Sequence, residues 1–418
     1  MVEVNMATKR TAPLDESSDD SSKPLCKWGP LCYRKNIDHL QEFAHPHRTA
    51  AAAKAKPGDM NKAKAIPAKI ARPPAFPSTD SPAKKFGAPS TPPKPKHLDA
   101  AFLESCYDLL FPEDLFDLWS VCSELNPDNP REALAPLLGY RLVGPFDALA
   151  LKGIVDSNNK RAFNLHYRYY YDPPEFQTVL VDVASDCHIG YFRDDPSEQP
   201  VFVAQSQLHR KDVQPWKLLI LGSNLIQVIH NQIKEQIKKT KDEDDQKATL
   251  EQVLEIVSRV SQNKHLLSYK SKRKARAVGN VMHHVGMVVP YDDKTEIGYR
   301  PLTVTNVELR RMMQNVASAQ QSQVKTALAP IQDIVTLVNF ANDECDYGMG
   351  LELGLDLFLF GNERLHSTAL FLLQTAYTLL QRTKFVEIIK DHLAARKTED
   401  YDYLSKIAAS DGEEPDKE

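Results

Sequence analysis

No apolar run in the 418-residue chain is long enough to span a bilayer. The opening residues, MVEVNMATKR, lack the apolar core of a signal peptide. Cysteine is scarce: six in so long a chain do not make a disulfide framework, and a reducing compartment fits best. Charge of one sign is not in excess, since 52 Lys and Arg face 56 Asp and Glu, but the charges are unevenly spread. There is no internal repeat, no dinucleotide-binding loop and no nucleophile triad. What remains is a chain long enough for two or three domains, whose 42% hydrophobic content supports real cores.

The densest chemistry lies in FANDECDYGMG, from Phe340 to Gly350. Asn342, Asp343, Glu344 and Asp346 crowd together there, with Gly348 and Gly350 just behind. Ahead of them Pro330 is read as opening a helix with Ile331, Ile334, Val335 and Val338 on one face. A firm helix would thus deliver a knot of acids to a place where the backbone turns irregular. Such a knot repels itself unless cations or a partner compensate it. Close carboxylates also push each other's pKa values apart, which is one way to make a proton acceptor. The bland alternative is a helix C-terminus with solvated acids and a turn.

Residues 1–22 are polar and expected to be disordered. Residues 23–48 carry Cys26, Cys32, His39 and His45 at the spacing C-x5-C-x6-H-x5-H. Two thiolates and two imidazoles suit one tetrahedral structural Zn2+, and a segment this short needs the metal for its folding energy. The gaps differ from those of a DNA-reading finger. Residues 49–97 form a basic, proline-rich linker, and ten prolines between residues 49 and 96 make it a stiff, extended tether. Lys84-Lys85 and Lys94-Pro95-Lys96 could serve as nuclear import signals or weak nucleic-acid contacts, and a merely solvated linker is the equal alternative.

The remainder reads as α+β. In residues 98–212, Leu115, Leu118, Trp119 and Cys122 mark an amphipathic helix. Tyr140 to Phe146, Ala162 to Tyr171, Phe176 to Val183, Cys187 to Phe192 and Pro200 to Ala204 are then read as short strands of an antiparallel meander. In residues 213–396 the spacing is mainly helical: Leu225 to Ile237, Leu250 to Val260, Leu370 to Leu380, and on through Phe385, Ile388 and Ile389. Leu351 to Phe360 fits both periods, with helix preferred. The basic run Lys270 to Arg276 is read as a solvated loop, with nucleic-acid contact as the less favoured reading. Residues 397–418 are an acidic tail, expected to be disordered after Glu399. The architecture expected is therefore a small zinc finger, an α+β domain with an antiparallel sheet, and a mainly α-helical C-terminal domain.

Two resemblances sharpen the functional reading. Trp28, Gly29, Cys32, Tyr33, Arg34 and the pair His45-Pro46 resemble the poly(ADP-ribose)-binding (PBZ-type) zinc finger, although His47 and Arg48 stand where that family commonly has Gly-Asp. The resemblance implies ADP-ribose binding by Trp28, Tyr33 and Arg34: Tyr33 can stack on adenine and Arg34 offers a fork to a phosphate or base edge. From residue 98 to residue 396 the strings LVGPFD, HYRYYYDPPEFQT, GYFRDDP, VVPYDD, GYR and FANDECDYGMGLELG resemble the histone PARylation factor family. The members of that family are accessory factors that dock on the catalytic domain of DNA-damage-activated poly(ADP-ribose) polymerases. There they complete the active site and direct ADP-ribose from NAD onto serines, histones included.

By that resemblance Glu344 is the proton acceptor for the serine hydroxyl and Arg300 orients it. Tyr299, Arg300 and Asp343 hold the polymerase, with Glu296 standing where the family often has Asp. A serine hydroxyl is a poor nucleophile at neutral pH and needs a base within hydrogen-bond reach. The NAD belongs to the partner, which agrees with the lack of a dinucleotide loop here. The linker's basic clusters and the reduced cysteines point to a nuclear protein, expected on chromatin at DNA damage, with no membrane association and weak or no direct contact with DNA. The competing readings are a non-catalytic poly(ADP-ribose)-binding scaffold and a free-standing hydrolase using Asp343 and Glu344. Adjacent residues rarely face one substrate from opposite sides, which counts against the hydrolase.

Overall fold

The computed structural model describes residues 98–410, residue 186 and residues 208–213, 241–244 and 262–268 excepted, together with Lys23, Phe43 and Ala44. The described fold belongs to the unit Pro89–Glu418, which is separate from Met1–Ala88.

The chain opens with helices α1 (Leu98–Tyr107) and α2 (Glu113–Leu125). Pro112 caps α2 in an extended conformation, and Glu113 and Asp114 face the positive end of its dipole. Its buried face carries Leu115, Leu118 and Cys122, as the spacing predicts. After the short helix α3 (Ala135–Leu138) comes strand β1 (Tyr140–Leu142). The expected strand to Phe146 stops early because Gly144, at φ 66°, turns the chain hard against Thr178. Pro145 then starts helix α4 (Pro145–Ala150).

Residues 162–171 are not a strand. Asn159 accepts from the Ala162 N–H and caps helix α5 (Lys160–Leu165), and the aromatics that follow lie in turns. Their side chains go to the core and to ring contacts: Tyr169 stacks on His188, and Tyr170 receives the Arg396 guanidinium at 3.9 Å. The sheet proper is an antiparallel meander, as expected, but its last strand lies in the region read from the sequence as helical. Strands β2 (Phe176–Asp182), β3 (Cys187–Phe192), β4 (Phe202–Gln207) and β5 (Leu218–Gly222) follow β1 in chain order.

Helices α6 (Leu225–Lys239) and α7 (Asp245–Ser261) follow, the first capped by Asn224. One buried carboxylate ties this region together: Asp114 Oδ2 accepts from the Tyr191 hydroxyl of β3 and from the Leu225 N–H that begins α6. The basic run is helix α8 (Tyr269–Arg276), not a solvated loop. Arg273 anchors it through paired bonds of 2.8 and 2.7 Å to Asp194, with its guanidinium against the rings of Phe192 and Phe202.

Helix α9 (Asn306–Ser318) starts in a capping box of Thr305 and Glu308. Helix α10 (Val324–Asp343) begins six residues before Pro330, which sits inside it rather than opening it. Both Pro330 and Thr326, whose carbonyl loses its partner, are exposed, so water can satisfy the missing bond. Helices α11 (Tyr347–Phe360), α12 (Glu363–Leu379) and α13 (Thr383–Ala394) complete the bundle. Every residue of α11 from Gly348 to Leu359 is buried, the acids Glu352 and Asp356 included, so this helix is buried all round rather than amphipathic. That is why its sequence fits two periods at once. The tail is not wholly irregular, since helix α14 (Tyr403–Ser410) docks through buried Leu404 and a Tyr167 N–H to Tyr401 carbonyl bond.

Candidate functional site

The acid knot is the reversal between α10 and α11, and its backbone sets every side chain. The Cys345 N–H returns to the Asn342 carbonyl and the Asp346 N–H to the Ala341 carbonyl, at 3.1 and 2.9 Å. These two bonds make a Schellman motif, whose key residue usually is glycine because it adopts a left-handed conformation. Here that residue is Cys345, at φ 64°. The tight turn leaves Asp343 and Cys345 exposed and turns Glu344 and Asp346 inward.

A second segment, residues 298–300, lies across the start of α11. Asp346 Oδ1 accepts the Gly298 N–H at 3.0 Å, and the Gly298 carbonyl accepts the Gly348 N–H at 2.9 Å. Gly298 has φ 113°, and a Cβ there would lie 1.8 Å from the Pro290 carbonyl oxygen, so no other residue fits. A Cβ at Gly348 would come within 2.9 Å of the Tyr299 ring, so the glycine is what allows the ring so close.

This crossing places Arg300 between two acids. Its Nη2 hydrogen-bonds Glu344 Oε2 and lies 2.7 Å from Asp346 Oδ2. The side chains of Arg300, Glu344 and Asp346 are 14%, 8% and 2% exposed, so the cation is nearly dehydrated and its attraction little screened. Of the anticipated site residues, the structure thus joins Arg300 to Glu344. Asp343 stands one residue away on the surface, and Glu296 is exposed at the tip of the turn closed by the Asp292–Ile297 bridge, at φ 55°. Tyr291 and Ile297, apolar and 37% and 40% exposed, flank that turn. Tyr299 points inward, where its hydroxyl donates to Glu352 Oε2 at 2.9 Å.

Sequence reasoning passed over three groups here. Asp346 was counted in the knot without its part as a clamp. Glu352 and Asp356, one turn apart on α11, are buried; Glu352 Oε1 accepts the Asn280 N–H and Asp356 Oδ1 the Met282 N–H, both at 2.8 Å. Burial pushes Glu352 above the usual carboxylate range, against the pull of its two donors. Burial likewise raises Asp356 to about 8. The signal was legible: acids inside the apolar run LELGLDLFLF need hydrogen-bond partners.

The finger candidates Cys26, Cys32, His39 and His45, with Trp28, Tyr33 and Arg34, lie outside the described residues. Among the described residues no group of three or more His, Cys, Asp or Glu is placed to hold a metal ion, and no described helix is long and apolar enough to cross a membrane.

Residues 98–396 match the family model of histone PARylation factor 1, and residues 23–48 match that of the PBZ domain. Histone PARylation factor 1 of Mus musculus is 40% identical over 312 residues, covering 72% of this chain and 88% of its own length. The Danio rerio protein of that name is 38% identical over 312 residues, and a putative histone PARylation factor 1-like protein of Homo sapiens 37% over 313. The chain belongs to the histone PARylation factor 1 family.

Proposed function

We propose that this protein is an accessory factor that docks on the catalytic domain of a DNA-damage-activated poly(ADP-ribose) polymerase and completes its active site with Glu344. Family membership supports an accessory role in poly(ADP-ribose) polymerase and DNA-damage signalling, and with it a place in the nucleus on chromatin. The observation that carries the finer reading is the Arg300–Glu344 pair, a sheltered carboxylate held by one guanidinium beside exposed Asp343. The acceptor is a histone or other protein serine, and NAD is the partner's substrate. Glu344 takes the hydroxyl proton as the serine oxygen bonds to the ribose carbon and the bond to nicotinamide breaks. Arg300 fixes the Glu344 rotamer, so no reorganisation is needed at the moment of transfer. Asp343, Arg300 and Glu296, with the apolar Tyr291 and Ile297, form the docking face, which inward-pointing Tyr299 supports from beneath. Cys26, Cys32, His39 and His45 would hold one structural zinc, and Trp28, Tyr33 and Arg34 would contact ADP-ribose.

Glu344→Gln tests the proposal, because it keeps size and hydrogen bonding and removes the ability to accept a proton. It should bind the polymerase as the parent does, by calorimetry, while ADP-ribose on a serine peptide falls by roughly 10²–10⁴-fold by mass spectrometry. Full modification would sink the assignment of the base. A second reading, a poly(ADP-ribose)-binding scaffold without catalysis, is favoured by the match at residues 23–48. Loss of polymerase binding in Glu344→Gln would make the knot a docking patch and leave the scaffold leading.

A further inference from the structure

We propose that Glu352 is a positioning residue of this site: it fixes Tyr299, and through the adjoining peptide Arg300, against Glu344. The inference rests on the reading of Glu344 given above. Residues 298–300 are held by one helix at three points. The Gly298 N–H is bound by Asp346, the Gly298 carbonyl by the Gly348 N–H, and the Tyr299 hydroxyl by Glu352. The first two fix only the near end of the segment. The third fixes the far side, because the Tyr299 ring lies flush on Gly348 and its tip is tied at Glu352. With both ends set, the Cα of Arg300 has little freedom, and its guanidinium reaches Glu344 and Asp346 without a search.

A purely structural role explains Glu352 poorly. It is 3% exposed on a helix whose neighbours are Leu351, Leu353 and Leu355. Neither bond named for its carboxylate is to a cation: one partner is a phenol and the other a backbone N–H. Burying a carboxylate among neutral donors is unfavourable, and an aliphatic side chain would pack α11 at lower cost. What the carboxylate adds is direction. Oε2 holds the segment that carries Arg300, and Oε1 holds Asn280. Gly279, at φ 74°, allows the close approach, since a Cβ there would meet the Glu352 carboxyl carbon at 3.3 Å. Glu352 touches no reacting atom in this arrangement and acts through Tyr299 and Arg300.

Three variants of the full chain test this. Tyr299→Phe keeps the ring and removes only the hydroxyl bond. Glu352→Leu removes both bonds and keeps most of the volume. Glu352→Gln restores both, since its amide oxygen can accept from Asn280 and its NH2 can donate to the Tyr299 oxygen. Each is compared with Glu344→Gln for thermal midpoint, polymerase affinity and rate of serine modification at saturating factor. The saturated rate should fall about tenfold in Tyr299→Phe, as expected for one directed hydrogen bond. It should fall roughly 10²-fold in Glu352→Leu, as expected for a misplaced catalytic group, and return to within a few-fold in Glu352→Gln. A merely structural role would lower the midpoint and leave the saturated rate at the parent value in Tyr299→Phe and Glu352→Leu; that result overturns the proposal. The control separates the two claims. A fully active Glu344→Gln refutes the base assignment. An inactive Glu344→Gln beside unaltered Tyr299→Phe and Glu352→Leu refutes only the positioning.

Discussion

Two acidic places lie within a dozen residues of each other and solve the same electrostatic problem in opposite ways. At the α10–α11 reversal, Glu344 and Asp346 share the cation of Arg300 at the edge of the molecule. Within α11, Glu352 and Asp356 are buried, and the bonds that hold them come from N–H and O–H donors. In the first pair one guanidinium lies against both carboxylates. Neutral donors fail to offset burial in the second pair, and both carboxyls are pushed upward. One pair is braced by a cation, and the other holds the backbone N–H groups of Asn280 and Met282 in place. Only the surroundings differ, since all four residues are Asp or Glu.

The comparison breaks most severely at Arg300. Arg300→Ala would leave two sheltered carboxylates facing each other, and should destabilise the fold by about 3 kcal/mol in urea titrations, besides abolishing serine modification. A variant as stable as the parent would mean that solvent, not Arg300, compensates the knot.

The next effect is on pH dependence. Burial, chiefly, and the neighbouring Glu352 raise Asp356 to about 8 from its ordinary 3.8, with the Met282 N–H and Arg310 opposing. Between those values the native state holds a proton that the unfolded chain has released. This contribution to stability is therefore complete below the unfolded value, declines as pH rises, and is gone above about 8. Asp356→Asn should make the stability profile between about pH 5 and 7 shallower, by up to about 1.4 kcal/mol per pH unit. An unchanged slope would show that Asp356 is ionised in the native state.

The smallest effect is at Cys345. Its left-handed conformation is strained for a residue with a Cβ, so Cys345→Gly should raise stability by about 1 kcal/mol in the same titrations. If Glu344 depends only on its own rotamer, modification is retained. If the strained turn aims it, the more stable variant is the slower one.

Much of this was legible in the sequence where one local rule decided the outcome. The meander follows from aromatic and β-branched runs cut by turns, and α2 and α6 from apolar spacing with caps. The crowding at 342–346 marked the site, because acids in a row demand an explanation. The failures lie where tertiary contacts overruled local signals. Pro330 resembles a helix start, yet an exposed carbonyl one turn back tolerates it in the interior. The run from Lys270 to Arg276 looks fully solvated, yet Arg273 has a buried partner 79 positions earlier, at Asp194. Residues 162–171 have strand composition, but Asn159 commits the first of them to a helix. The crossing of residues 298–300 over α11 was beyond reach, because a Gly298 pinned by Asp346 is a contact between distant segments that no periodicity records.

The complete burial of α11 has a consequence for biosynthesis. The helix has no wet face, and α12 packs along it from later in the chain, so its own sequence cannot stabilise it on a ribosome. The sheet pairs strands in chain order and needs only local closures, so it can assemble early. The Glu352 end of the site is therefore expected to set only once α12 is available to pack. A truncated or half-folded product would display strands and acids, but not the arginine-braced carboxylate.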